Sequence, residues 1–194
     1  MSVLANSPFL PGKRFYIPEH IHAQMLELTR ACSVEVSAVG LVSLEPEGVV
    51  VRELYVPHQL VGDAHAQVDG AMLSEAQAHW FNNGKIVVGD TKTFVRFNWH
   101  SHVDFQAEFS IPDKQQSASM GGDGTAFDPP WWISMVMNRD GEYSVCLELF
   151  QPIRTTLDIT DETMFGHGHH AHSSTLLDLL ERVKKGRREH GNKK

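Results

Sequence analysis

Two segments carry apolar residues at the spacing of an amphipathic helix. Residues 18–32 open with a proline, and their apolar residues recur at steps of three and four, which places them on one helical face. These are Ile21, Met25, Leu28 and Cys32. Residues 71–81 predict a second helix, which the turn residues Asn82-Asn83-Gly84 end.

Two pairs of apolar runs have the length and turn signals of β-hairpins. Residues 34–44 and 49–57 are rich in β-branched side chains and are separated by Glu45-Pro46-Glu47-Gly48, so we expect them to pair. Residues 131–137 and 143–151 form a similar pair across a turn that contains Asp140-Gly141.

One further strand is predicted between the two hairpins. Residues 93–99 alternate between two sets of side chains and run directly into His100-Ser101-His102. Residues 114–130 are rich in Gly, Ser and Pro, which predicts a surface loop. Because hairpins alternate with helical crossovers, the order of elements favours a mixed β-sheet covered by helices.

The composition changes after about residue 160. Four histidines crowd into the tract His167–His172, and Ser173-Ser174 could cap an amphipathic helix that follows it. We therefore predict a domain over residues 1–160 and a C-terminal extension over residues 161–194, which holds the His-rich tract and a basic helix. The tract could bind a second metal ion, although flexible His tracts more often bind metals adventitiously.

Charge and cysteine content limit the classes of partner. The chain has a formal net charge of −7, yet residues 182–194 contain seven Lys/Arg and one acid, so the remainder is more acidic than the total. An acidic body repels a phosphate backbone, which argues against nucleic acid as the main partner. No apolar run approaches the roughly 20 residues that cross a bilayer. Cys32 and Cys146 are too few for a disulfide framework, so we expect a cytoplasmic protein with no membrane partner.

Residues 100–113 contain a candidate metal site. In an extended strand, His100 and His102 point to the same side about 6–7 Å apart, close enough to bind one ion. Asp113 is the candidate third ligand, if the intervening loop folds back onto the strand. Two imidazole nitrogens and one carboxylate oxygen suit zinc, and a fourth position left open for water is typical of a catalytic site.

Two more residues are candidates for a hydrolytic mechanism. A zinc ion lowers the pKa of its bound water towards about 7, so a nearby carboxylate can act as the general base. Glu35 is the candidate, because a charged residue in an apolar strand indicates a polar cavity, although a solvated strand end is the alternative. Ser110 could donate a hydrogen bond to the oxyanion. Ser110 and Asp113 also fit an ordinary helix start, and one motif can serve both purposes.

The candidate residues resemble the signature of a known family. The pattern is an upstream Glu followed by His-x-His-x7-Ser-x-x-Asp, and the matching residues are Glu35, His100, His102, Ser110 and Asp113. This pattern is similar to that of the JAMM, or MPN-plus, metalloproteases, and the resemblance covers about residues 20–155.

The resemblance implies both a fold and an activity. The fold would be a three-layer α/β domain similar to cytidine deaminases, with a mixed sheet flanked by helices. The activity would be hydrolysis of a peptide or isopeptide bond with one catalytic Zn²⁺ per chain. The implied partner is a protein or peptide tail, such as a ubiquitin-like conjugate, and residues 58–70 and 114–130 would shape its groove.

Two other functions stay open at this point. The chain could be a non-catalytic MPN scaffold, although such domains usually lose metal ligands that are all present here. It could instead be a zinc hydrolase of small amides or of a deaminase-like substrate.

Overall fold

The computed structural model describes residues 13–57, 68, 70–121 and 130–166. Within these ranges the chain forms eight strands and three helices. The strands are β1 (Arg14–Pro18), β2 (Ser37–Glu45), β3 (Gly48–Tyr55), β4 (Thr93–His102), β5 (Trp131–Asn138), β6 (Tyr143–Leu149), β7 (Thr155–Asp158) and β8 (Thr163–Gly166). The helices are α1 (Glu19–Ala31), α2 (Gly70–Asn82) and α3 (Ile111–Ser119).

The described strands form one mixed sheet in the order β7-β6-β5-β4-β2-β3-β1-β8. Both predicted hairpins are confirmed, because β2 pairs with β3 and β5 with β6 in antiparallel register. Strand β4 lies in the middle of the sheet, antiparallel to β2 and parallel to β5. The strand that carries the two histidines is therefore fixed by backbone hydrogen bonds on both sides.

Two hydrophobic clusters pack against the sheet, each with one of the longer helices. Helix α1 buries Ile21, Met25 and Leu28 in the larger cluster, which confirms the predicted helix and its buried face. Helix α2 confirms the second predicted helix and contributes Met72 and Trp80 to the other cluster. Each such side chain contributes about 1.5–3 kcal/mol by burial, so packing on the sheet holds both helices.

The predicted fold class, a helix-flanked three-layer α/β domain similar to cytidine deaminases, is wrong. The described residues form an eight-stranded sheet with only three short helices, so the structure is mostly strand. A three-layer α/β fold needs layers of helices on both faces of its sheet, and three short helices do not supply them. Strands β1, β7 and β8, each of four or five residues, add strand content that no sequence pattern predicted.

The sheet continues past residue 160. Strand β8 pairs in parallel with β1, with Phe15 opposite Thr163. The His-rich tract and the predicted basic helix lie outside the described residues, so the division of the chain at residue 160 stays a prediction. Among the helices that the structure describes, none has the length and apolar character to cross a membrane.

Candidate metal centre

The end of β4 places two imidazoles side by side. Strand β4 extends through His102, and the Nε2 atoms of His100 and His102 lie 3.2 Å apart. Both residues are buried, at 3% and 7% exposure. His100 pairs with Ser37 on β2 and with Val136 on β5, so the position of its backbone is determined from two sides.

Asp113 completes the cluster from the first turn of α3. Its Oδ1 lies 3.3 Å from His100 Nε2, and its Oδ2 lies 3.6 Å from His102 Nε2. Two ligands about 2.0–2.1 Å from a tetrahedral ion are about 3.3–3.4 Å from each other, which is close to these separations. The three side chains predicted as ligands therefore converge, and the group could hold a metal ion.

A backbone carbonyl sets the tautomer of His102. The Nδ1 atom of His102 lies 2.8 Å from the carbonyl oxygen of Gln106. Because a carbonyl oxygen only accepts, Nδ1 carries the proton of the neutral imidazole and donates it to this bond. In this neutral form the lone pair is on Nε2, the atom that faces His100 and Asp113, as metal binding requires.

A capping box orients Asp113. Ser110 is the N-cap of α3: its Oγ accepts from the Asp113 N–H at 3.3 Å, and its own N–H donates to Asp113 Oδ2 at 2.8 Å. The Ser110 hydroxyl also donates to the same Oδ2 at 2.5 Å. The alternative interpretation of Ser110 and Asp113 as a helix start is thus confirmed, and the bonds that cap the helix also hold the carboxylate. The prediction of a surface loop is wrong for residues 114–119, which continue α3.

Electrostatics favour an ionised carboxylate in the cluster. Burial of Asp113 disfavours its charged form, but hydrogen bonds from His100 and His102 outweigh burial and hold the pKa of Asp113 well below its usual range. Burial likewise opposes protonation of His102, yet its bonds to Asp113 and Gln106 leave its pKa raised. A carboxylate that is ionised at neutral pH is ready to bind a cation.

Glu35 faces the same pocket. It is only 8% exposed, so the alternative of a solvated strand end does not hold. It lies just before β2 and shares a pocket of about 640 Å³ with His102, Ser110 and Asp113. Its negative charge acts on His102, where it favours the protonated imidazole. Four of the five predicted site residues therefore line this pocket. The fifth, His100, does not line it but contacts Asp113.

The rim of the pocket is acidic and apolar. Asp104 and Glu108 line it and are exposed. Arg139 bonds Asp104 at 2.9 Å and also donates to the carbonyl oxygen of Cys32 at 2.9 Å. Phe105 lines the same rim and is 66% exposed. The segment after His102 therefore presents both an aromatic ring and negative charge at the opening of the pocket.

One orienting group escaped prediction. Gln106 acts through its main-chain carbonyl, so the identity of its side chain gives no signal in the sequence. The structure describes only part of the two predicted groove segments: residues 58–67, 69 and 122–129 lie outside the described ranges.

Neither comparison with known proteins finds a relative. No protein-family model matches the chain, and a search of curated proteins finds no match. The resemblance to the JAMM metalloproteases is therefore carried by the five motif residues alone.

Proposed function

We propose that the chain is a zinc-dependent hydrolase that cleaves a peptide or isopeptide bond with a metal-activated water. The observation that carries this proposal is the convergence of His100 Nε2, His102 Nε2 and the Asp113 carboxylate, at separations of 3.2–3.6 Å, beside a pocket that also contains a buried glutamate. The motif-level resemblance to JAMM metalloproteases supports the same reaction.

Zinc is the proposed ion because of the donor set. Two neutral imidazoles and one carboxylate are typical ligands of catalytic zinc, and three protein ligands leave one position for water. Zinc in this site would lower the pKa of that water towards about 7 and polarise the scissile carbonyl.

The remaining steps are assigned to the chain's own residues. Glu35 takes the proton of the attacking water and delivers it to the leaving amine. The Ser110 hydroxyl, which donates to Asp113 Oδ2 in the structure, would turn from that bond to donate to the oxygen that becomes negative during attack. The N-terminal end of α3 also carries partial positive charge, which favours the same oxygen.

The proposed substrate is a protein or peptide tail, with a ubiquitin-like conjugate as the leading candidate. A volume of about 640 Å³ would also admit a small molecule, but the exposed rim residues Asp104, Phe105 and Glu108 leave room for a chain that extends beyond the pocket. Exposed Phe105 supplies an apolar contact for such a chain.

Metal content tests the first part of the proposal. The full chain is purified without an affinity tag, with all four histidines of the tract His167–His172 replaced by Asn so that adventitious binding is removed. After dialysis against zinc we expect near one zinc per chain, and loss of this zinc in His100→Ala. His79→Gln, which changes a histidine of α2 outside the cluster, is the matched control and should keep the zinc. A folded protein that binds no zinc would favour the scaffold instead.

Cleavage tests the second part. The zinc-loaded chain is incubated with a panel of ubiquitin-like fusions and lysine-linked conjugates, and the products are identified by mass spectrometry. We expect cleavage that a chelator stops and that Glu35→Gln abolishes. Hydrolysis of small amides with no cleavage of any conjugate would favour the small-amide hydrolase over the peptidase.

A further inference from the structure

A second group of buried polar side chains lies behind the metal cluster, between β4, β5 and α3. Each member is at most 3% exposed. The group, called the Asn98 network below, consists of Asn98 on β4, Trp132 and Ser134 on β5, and Ser117 on α3.

The hydrogen bonds of the Asn98 network have a defined direction. Trp132 Nε1 donates to Asn98 Oδ1 at 2.6 Å, and Ser134 Oγ donates to the same oxygen at 2.7 Å. The Ser117 and Ser134 hydroxyl oxygens are 2.7 Å apart. Because the Ser134 proton is used towards Asn98, Ser117 must be the donor to Ser134. The chain of donors therefore runs from α3 through β5 to β4.

The Asn98 network joins the same two elements as the metal cluster, at neighbouring positions on β4 and α3. Asn98 precedes His100 by two residues, so both point to the same face of β4. Ser117 follows Asp113 by four residues, so both lie on the same face of α3. Strand β4 and α3 are thus joined twice, once by the ligand side chains and once by buried hydrogen bonds.

The helical residues of α3 contribute little apolar packing, although its C-cap residue Met120 is buried in the cluster that contains Trp132. Ser117 is its only buried residue within the described chain, and Ile111 is 73% exposed. Gln116 adds one bond, from Nε2 to the carbonyl oxygen of Val68 at 3.0 Å. Polar contacts therefore position the body of α3 on the sheet, while Met120 anchors its C-terminal end.

We infer that Ser117, Ser134 and Asn98 are positioning residues of the metal site: they fix α3 on the sheet and thereby set the distance from the Asp113 carboxylate to the two imidazoles. The inference rests on the proposed metal site. Metal–ligand distances tolerate errors of only about 0.2 Å, so a small shift of α3 is enough to weaken binding.

Zinc affinity is the test. Dissociation constants for zinc are measured by competition with a chromophoric chelator. The protein is the full chain in which the four histidines of the tract His167–His172 are replaced by Asn. We expect Ser117→Ala and Ser134→Ala each to weaken zinc binding by about tenfold, the lower end of the range for groups that orient metal ligands. Because both serines belong to one chain of donors, the double variant should lose little more than either single variant.

Matched variants separate positioning from general stability. Thr163→Val removes a different buried hydroxyl bond, from Oγ1 to the Ile159 carbonyl at 2.9 Å, and should leave zinc affinity unchanged even where it lowers the melting temperature. Ser117→Thr keeps the hydroxyl and should restore most of the affinity. The Co²⁺ absorption spectrum of each variant reports the ligand geometry directly, and we expect it to change in the two alanine variants only.

Ser117→Ala carries the test if Ser134→Ala fails to fold. In Ser117→Ala, Ser134 still donates to Asn98, so no buried donor is left without a partner, and Ala is a good helix former. The parent protein is the full chain with the four tract histidines replaced. If the parent binds zinc, and Ser117→Ala has the same zinc affinity and Co²⁺ spectrum as the parent, the inference is overturned but the proposed function is not. Failure of the parent itself to bind zinc would overturn the inference and the proposed function together.

Discussion

Ser101, the residue between the two histidines, is bonded twice to Val36, the residue after Glu35. The Ser101 Oγ accepts the Val36 N–H at 2.9 Å, and the Ser101 N–H donates to the Val36 carbonyl at 2.9 Å. Ser101 is fully buried. The strand that carries the candidate ligands therefore also holds the segment that carries the proposed base, and Ser101 joins the two by a side-chain bond as well as a backbone bond.

Ser101→Ala should impair catalysis while leaving metal binding intact. The substitution leaves the buried Val36 N–H without its side-chain acceptor, and we expect a loss of about 1–3 kcal/mol of stability. Displacement of Glu35 should lower kcat by about tenfold to a hundredfold. Zinc titration and steady-state kinetics check the two expectations.

Two variants control for the loss of stability in Ser101→Ala. Thr29→Ala removes another buried hydroxyl bond, 2.8 Å from Oγ1 to the Met25 carbonyl in α1, and should leave kcat unchanged. Ser101→Thr keeps the acceptor oxygen and should retain activity. Equal kcat values for Ser101→Ala and the parent would contradict the role assigned to Ser101.

Glu35→Gln should bind zinc normally and be inactive. Glutamine keeps the size of the side chain but cannot accept the proton, and loss of a general base costs about 10²–10⁴-fold in rate. Zinc stoichiometry and conjugate cleavage are measured on the same preparation. Asp104→Asn, which neutralises an exposed carboxylate of the same pocket, is the matched control and should keep most of the activity. Substantial activity in Glu35→Gln would assign the base elsewhere.

Ser110→Ala should destabilise the metal-free protein. It removes the N-cap of α3 and the hydroxyl that bonds the Asp113 carboxylate, and loss of such a cap costs about 1 kcal/mol. Urea unfolding in the presence of a chelator measures this cost without the contribution of bound metal. Ser110→Thr also caps a helix and should recover most of the stability. Unchanged stability in Ser110→Ala would show that the cap contributes little.

Cys146 should be unreactive in the native protein. Burial, followed by the nearby charge of Glu148, raises the pKa of the Cys146 thiol to about 12. The thiolate is the nucleophile, so alkylation at mildly alkaline pH should occur only after unfolding, which peptide mapping by mass spectrometry detects.

The raised pKa of Cys146 also predicts a pH dependence of stability. The pKa of this thiol is 9.0 in the unfolded chain and about 12 in the folded one. Its contribution is therefore fully present below about 9 and is lost as the pH rises towards about 12. Cys146→Ala should lose less stability than the parent over that interval. If the free energy of unfolding falls equally with pH in the two proteins, the raised pKa of Cys146 is contradicted.

The sequence predicted those features that depend on local pattern. The period of α1 identified the buried residues Ile21 and Leu28, and the turn at Asp140-Gly141 identified the second hairpin. The spacing from His102 to Asp113 led to the correct expectation that the three candidate ligand side chains lie close together. In each case, residues close in the chain carry the information.

The features that were missed depend on distant or weakly patterned residues. Helix α3 has almost no apolar face, so only its Ser110 cap marked its start, and the following residues resembled a loop. Strand β8 has four residues, too few to show a period. The bond between Asn98 and Ser134 joins residues 36 positions apart, and only the parallel register of β4 and β5 brings them together.

The pairing of β8 with β1 limits where the chain can be shortened. If the chain ended before Thr163, β1 would become an open sheet edge with unsatisfied backbone donors and acceptors, next to buried Phe15 and Ile17. Such edges recruit other strands, so a shortened protein would tend to aggregate even with its candidate metal site intact. Expression boundaries chosen for crystallisation should therefore fall after Gly166.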